Sequence, residues 1–357
     1  MLEIRKARPD ELNEIINLSN YVFRVIQGHE PTMGWQFPTM FSGENTDAIY
    51  TAISDGKIVS IICTKLNEAI IYGHKISMAS MGSVCTHPEY QGRGIASKLL
   101  NYTFNDLNEK KFGIVTISGN RGLYKRNKAV PQGYVNIYEV ESAELPEAEN
   151  SGMAFEYLTN CDSISRLSGV YAKEPIRYIR GVNEFPVLFN ARPMVIPDET
   201  NKLSALAAMA GNEVLAYIIG FKQEKDKYKI VEYAGERSII PDLIRETGRL
   251  GFFKVCFEVP DYDTSLMELL GLYSIKPNSE EETSISVRIT NREELLKRLK
   301  PVFIEVYGYS SKEFEEFIRL LPEDDGECAK VLFDRKYKQE ILDMAVPLPW
   351  PRGLNYI

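Results

Sequence analysis

The stretch with the most chemical content runs Gly82-Ser83-Val84-Cys85-Thr86-His87-Pro88-Glu89-Tyr90-Gln91-Gly92-Arg93-Gly94-Ile95-Ala96-Ser97-Lys98-Leu99-Leu100. It reads as a strand, a turn, a glycine pair and a helix. Gly92 and Gly94 carry no side chain to keep a ligand off the backbone. The amides from Gln91 to Ala96 can then converge at the positive end of the helix that follows, an arrangement that suits a phosphate or diphosphate. Two phosphate motifs are excluded. A dinucleotide fingerprint needs glycine where Ser97 stands, and a P-loop needs Gly-Lys-Ser/Thr after the turn.

With its Val-x-Thr-x-Pro strand end and its Gln-x-x-Gly-x-Ala turn, the segment resembles the coenzyme A motif of the GCN5-related N-acetyltransferases (GNAT). The resemblance implies acetyl-CoA as the cofactor, held by Val84, Cys85, Thr86, Gln91, Gly92, Arg93, Gly94, Ile95 and Ala96. Downstream, Thr116 to Arg126 is similar to the family segment that carries a tyrosine acid beside the coenzyme sulfur. Tyr124 matches that tyrosine, and Asn120 falls among the cofactor contacts. The family ending Tyr-x-x-Phe-Gly-Phe is replaced by Tyr124-Lys125-Arg126-Asn127-Lys128-Ala129. In that family the loop before the first hairpin faces the acceptor, which makes Glu30, Trp35 and Phe37 candidate substrate contacts. The chemistry implied is direct attack of an amine on the thioester, with Val84–Thr86 amides stabilising the oxyanion and a phenol returning a proton to the thiolate. Cys85 reads as a core thiol rather than a nucleophile.

These residues need a scaffold. Leu2–Ala7 reads as a strand, and Asp10 opens a helix whose Leu12, Ile15, Ile16, Val22 and Phe23 recur at helical spacing. Residues 47–53 and 58–66 form a hairpin across Asp55-Gly56. The apolar run from Ile70 to Thr86 leads into the glycine turn. A helix with Ile95, Leu99, Leu100, Phe104 and Leu107 on one stripe follows, then strands at 112–118 and 134–140. A charged linker, Glu141 to Gly152, suggests a boundary near residue 148.

Residues 213–259 repeat the order hairpin, helix, strand, so a duplicated fold is expected. The turn Gly235-Glu236-Arg237-Ser238 lacks a second glycine, and no coenzyme is expected there. A third stretch from about residue 284 has a strand and two amphipathic helices, ending in Pro347-Leu348-Pro349-Trp350-Pro351. The three-part chain resembles the Eis-like acetyltransferases, with an active GNAT domain, a degenerate second copy and a reduced sterol-carrier-like end. That likeness implies that the carboxylate of Ile357 reaches the active site. The expected fold is α/β (α+β by stricter usage), with mixed, mostly antiparallel sheets. The expected domains are 1–147, 148–283 and 284–357.

The chain has 357 residues, of which 44% are hydrophobic and 26% charged, ordinary values for a water-soluble protein. No apolar run approaches the ~20 residues of a membrane span. The N-terminal charges do not match a signal peptide. Five scattered cysteines suit reduced core thiols, pointing to the cytoplasm. A net charge of −8 argues against nucleic acid as a partner. The expected partner is an amine, small or polypeptide, and the chain is compatible with a homo-oligomer. An N-acetyltransferase is therefore expected, with a non-catalytic acyl-CoA sensor as the alternative.

Overall fold

The computed structural model describes residues 1–146, 152–193, 202–223, 226–337 and 345–356. Its strands, in chain order, start with β1 (Leu2–Lys6), β2 (Ile49–Ser54), β3 (Lys57–Ile71), β4 (His74–Thr86), β5 (Ile114–Ser118) and β6 (Val130–Pro131). They continue with β7 (Tyr134–Glu141), β8 (Ala154–Leu158), β9 (Ile176–Tyr178), β10 (Leu203–Ala210) and β11 (Glu213–Lys222). The last are β12 (Lys227–Gly235), β13 (Lys254–Pro260), β14 (Ser279–Glu282) and β15 (Ile285–Ile289). The chain forms two compact units, one of residues 1–132 and 284–349, the other of residues 133–283 and 350–356.

The first unit is built on a sheet ordered β1-β2-β3-β4-β5-β15-β6. Two tight turns set its register. Asp55 and Gly56 are both left-handed, as are Tyr72 and Gly73, the backbone that a two-residue hairpin turn requires. The second turn lies inside the apolar run of the sequence, so β3 and β4 form one long hairpin. Helix α1 (Leu12–Phe23) and the short α2 (Met33–Gln36) precede β2, and α3 (Ile95–Glu109) connects β4 to β5, which pair in parallel. The apolar stripe of α3 packs where the spacing predicts: Leu99, Leu100 and Leu107 are fully buried against Tyr50, Ile62, Ala79 and Val115. A further helix, α4 (Gly122–Arg126), follows β5.

The second unit repeats the plan, with the order β14-β7-β13-β12-β11-β10-β8 and β12 parallel to β13. Its core lies on both faces of the sheet, one around Tyr138, Phe257 and Leu243, the other around Phe185, Tyr217 and Ile219.

Two strands join sheets that their positions in the sequence do not suggest. β7 pairs with β13 from Lys254↔Glu141 to Pro260↔Val135, so it belongs to the second unit. β15 pairs with β5 from Ile285↔Ser118 to Ile289↔Ile114, so it belongs to the first. The C-terminal helices follow β15: residues Arg292–Pro301 approach β5 so closely that a Cβ on Gly113 would lie 3.1 Å from the Leu295 backbone. Residues 284–349 therefore pack with the first unit, whereas the expected division set 284–357 apart. The expected boundary between 147 and 148 lies outside the described residues. The linker is also less bare than its charges suggest, because Leu145 is buried among Tyr138, Val140 and Leu243.

Candidate active site

β4 and β5 run side by side only from Met78↔Ile114 to Met81↔Ile117. Beyond that point β4 continues to Thr86 while β5 ends at Ser118, and the two part. A bulge accompanies the parting. Ile61 faces Cys85 and Cys63 faces Gly82, so Ser83 and Val84 together oppose one residue of β3. Ser83 sits at φ 47°, and its hydroxyl lies 2.6 Å from that of Ser19 on α1, which ties the bulge to the helix.

The bulge decides which amides face the gap. His87 donates to the Val59 carbonyl, so alternation along the antiparallel pair puts the amide of Cys85 toward β3. The carbonyls of Val84 and Thr86 point the other way: Arg121 donates to the first at 3.1 Å and the Gln91 amide to the second at 3.1 Å. In a strand the N–H of a residue shares the side of its C=O, so the N–H groups of Val84 and Thr86 face the gap as well.

Past the strand end, His87 caps the turn Pro88–Tyr90, its Nδ1 accepting from the Glu89 amide, while its ring stacks on Tyr21 at 5.2 Å. Gln91, Gly92, Arg93 and Gly94 are exposed. Gly92 (φ 75°) and Gly94 (φ 74°) are left-handed, and a Cβ on either would meet nothing within 4 Å. Glycine is thus demanded by the backbone, and the space above the turn is open. Gly94 is the N-cap of α3, so Ile95 and Ala96 present first-turn amides to that space. Arg93 donates to the Glu89 carbonyl and lies 5.0 Å over the Tyr90 ring, adding positive charge beside the turn. The arrangement is suited to an anion at the helix end and, along the parted strand, to an extended chain carrying amide groups.

At the other side of the gap, Tyr124 on α4 is completely buried, and its hydroxyl accepts a hydrogen bond of 2.8 Å from Arg121. Burial raises the pKa of the phenol and the Arg121 cation partly opposes this, leaving it above the ordinary tyrosine value. Cys85 is buried beside the same cation, and burial pushes its thiol up to about 12. A thiol held protonated at neutral pH is no nucleophile.

Arg121 links Val84 to Tyr124, a role the sequence signals only through its spacing of three from Tyr124 across the start of α4. Further along the same segment, Lys128 pairs with Asp324 at 2.9 Å. Asn120 is exposed in the connection between β5 and α4. Of the candidate acceptor contacts, Phe37 is buried, whereas Glu30 and Trp35 are exposed. Ile357 lies outside the described residues.

Comparison with known proteins places this geometry in a class. Residues 3–127 match the sequence profile of an acetyltransferase (GNAT) domain. That match spans the β1–β5 part of the first unit. No curated protein matches it in sequence. Among solved structures it is similar to a probable N-acyltransferase from Enterococcus faecalis, at TM-score 0.68 and 14% identity, over 84% of this chain and 75% of that one. It is likewise similar to a GCN5-related N-acetyltransferase from Anabaena variabilis, at TM-score 0.67 and 16% identity, with coverage of 84% and 75%. Eis1 from Mycobacterium abscessus aligns at TM-score 0.60 and 12% identity, over 84% of this chain and 76% of that one. The likeness extends to the fold: both units are α/β with mixed, mostly antiparallel sheets.

Proposed function

We propose that the chain is an N-acetyltransferase that takes its acetyl group from acetyl-CoA and passes it to an amine in a ternary complex. One observation carries the reading: β4 and β5 part beside an open, left-handed glycine turn that ends on a fifteen-residue helix. Bound there, acetyl-CoA supplies an activated acetyl thioester. The amides of Gly94 to Ala96 hold the diphosphate, helped by Arg93. The Val84 and Thr86 amides hold the extended pantetheine arm and orient the thioester, and whichever lies nearest the carbonyl stabilises the charge that grows on its oxygen. Tyr124 accepts from Arg121 and so keeps its own proton to give. A phenol raised by burial stays protonated at neutral pH and can hand that proton to a departing thiolate. Glu30 and Trp35, both exposed, are the residues of this reading that would attract a cationic acceptor. No helix among the described residues is long and apolar enough to cross a membrane.

The test is a calorimetric titration of acetyl-CoA into the wild type, Gly94→Ala and Gly94→Glu. The two variants bear the same left-handed strain, but only glutamate sets a carboxylate where the diphosphate would lie. Binding to one site per chain, weakened at least about tenfold more by glutamate than by alanine, supports the reading. Equal affinity in both variants, or no binding to the wild type, sinks it.

A further inference from the structure

The second unit has its own parted strands. β12 and β13 pair from Lys227↔Lys254 to Lys229↔Cys256, then separate. Residues on both strands beyond the parting, among them Tyr233 and Glu258, line a pocket with a volume near 740 Å³ including its mouth.

The open anion cradle of the first unit has no counterpart there. Gly235 stands at the matching turn, but its amide already donates to Glu174 at 2.7 Å, and Arg237 donates to the same carboxylate at 2.7 Å. The donors that would hold a diphosphate are thus occupied by a carboxylate of the protein itself. The other charges of the wall are engaged in the same way. Arg237 also donates to Asp263 at 2.8 Å, and Glu258 has Lys229 at 2.9 Å and Arg352 at 3.1 Å. Glu232 is paired with Arg180 at 2.9 Å. These side chains are largely withdrawn from water. A ligand with a net charge must break one of the pairs or enter without a counter-ion, and both are costly where water is scarce.

Two hydrogen-bond donors are left over. Tyr262 and Trp350 line the pocket, and neither the phenol hydroxyl nor the indole N–H meets an acceptor among the described residues. Burial raises the Tyr262 pKa well above its ordinary value, and the nearby Asp263 and Glu174 carboxylates add to this, so the phenol keeps its proton to donate. An indole N–H can only donate. Tyr171 and Tyr233 extend the aromatic wall, Tyr233 directing its own hydroxyl to Asp263 at 2.8 Å. A donor left unmet in such a place is unfavourable, and a ligand that brings an acceptor relieves it.

We infer that this pocket is a binding site for an uncharged ring compound bearing hydrogen-bond acceptors, the chemistry of an aromatic amide. The ring packs among the tyrosines and Trp350, and the carbonyl accepts from Tyr262 and Trp350. The pocket selects against charge because its own charges are already engaged with one another.

The probe is benzamide, titrated by calorimetry into the full chain. Benzoate and benzylamine, its anionic and cationic analogues, are measured as competitors against bound benzamide, so that an amine held at the acceptor site of the first unit does not count. Benzamide should bind, and each charged analogue should compete at least about tenfold more weakly. Tyr262→Phe keeps the ring and removes the donor, and should weaken benzamide about fivefold. Trp350→Phe serves as a second variant should the first fail to melt like the wild type. Competition by benzoate or benzylamine as strong as that of benzamide itself overturns the assignment, as does no binding of benzamide up to about 10 mM. Unchanged benzamide affinity in the folded variant would place the ring elsewhere and overturn it equally.

Discussion

Tyr124 and Glu232 are both buried ionisable groups held by an arginine, and they respond oppositely to pH. In the proposed reaction Tyr124 serves only as the neutral acid. Burial moves its pKa up, so the rate-supporting form persists as pH rises through neutrality and is lost only above the ordinary tyrosine value of about 10. Tyr124→Phe should lower kcat by roughly 100-fold while the acetyl-CoA Kd stays put. Turnover at the wild-type rate in this variant would assign the proton to another donor. Were the chain a sensor instead, no acceptor amine would give turnover in either form. Glu232 is useful as the anion. Burial alone would raise its pKa, but the Arg180 cation and hydrogen bonds from Arg180, the Leu354 amide and the Tyr217 hydroxyl outweigh that, leaving it below the ordinary carboxylate value of 4.5. Its contribution is therefore complete above that value and lost as pH falls through the lower, folded pKa. Arg180 is 1% exposed at the side chain, so Glu232→Gln leaves a buried cation without its counter-ion. The expected loss is roughly 3–5 kcal/mol at neutral pH, read by urea unfolding, with the gap to wild type narrowing in acid. A gap that stays constant from neutrality to pH 3 would refute the ion-pair account.

The elements that place these residues depend on close contacts as much as on strand pattern. Gly113 begins the approach to β5, and the helix Arg292–Pro301 lies against it, so Gly113→Ala would push a methyl to 3.1 Å from Leu295 Cα and Cβ. The backbone there must shift. A loss of roughly 1–3 kcal/mol is expected, with faster amide exchange confined to that helix and β5. Unchanged exchange would mean the helix yields freely. Contacts of this kind separate what the sequence reveals from what it hides. The glycine turn, the Asp55-Gly56 hairpin and the stripe of α3 are local, since each is written in residues a few positions apart. The partners of β7 and β15 are not, because alternation marks a strand without naming its neighbour. The bulge at Ser83 and Val84 is equally silent in sequence, yet it aims the Val84 and Thr86 amides into the parting of β4 and β5. The pocket of the second unit is hidden for a simpler reason: Glu174, Lys229, Glu258 and Arg352, all in its wall, come from four separate segments.

At the scale of the whole molecule, the exchange of β7 and β15 removes the option of cutting the chain where its composition suggests. A fragment of residues 1–147 would keep the glycine turn, Tyr124 and the sequence matched to the acetyltransferase domain. It would lose β15, and with it the strand that covers β5 and links it to β6. The edge exposed in its place carries Val115 and Ile117, both fully buried in the intact unit. Its own remaining strand, β7, would have no β13 to pair with. An apolar central strand left as an edge is a template for association. The fragment should therefore aggregate or elute as a polydisperse species, whereas the full chain should elute as a defined one and, on the proposed function, bind acetyl-CoA. Supplying residues 284–357 as a separate chain should restore a soluble complex, since Ile285–Ile289 and the helix at Leu295 carry the missing contacts. A fragment that stays soluble and monodisperse and binds acetyl-CoA alone would show that β15 is an accessory to the first unit rather than a part of its sheet.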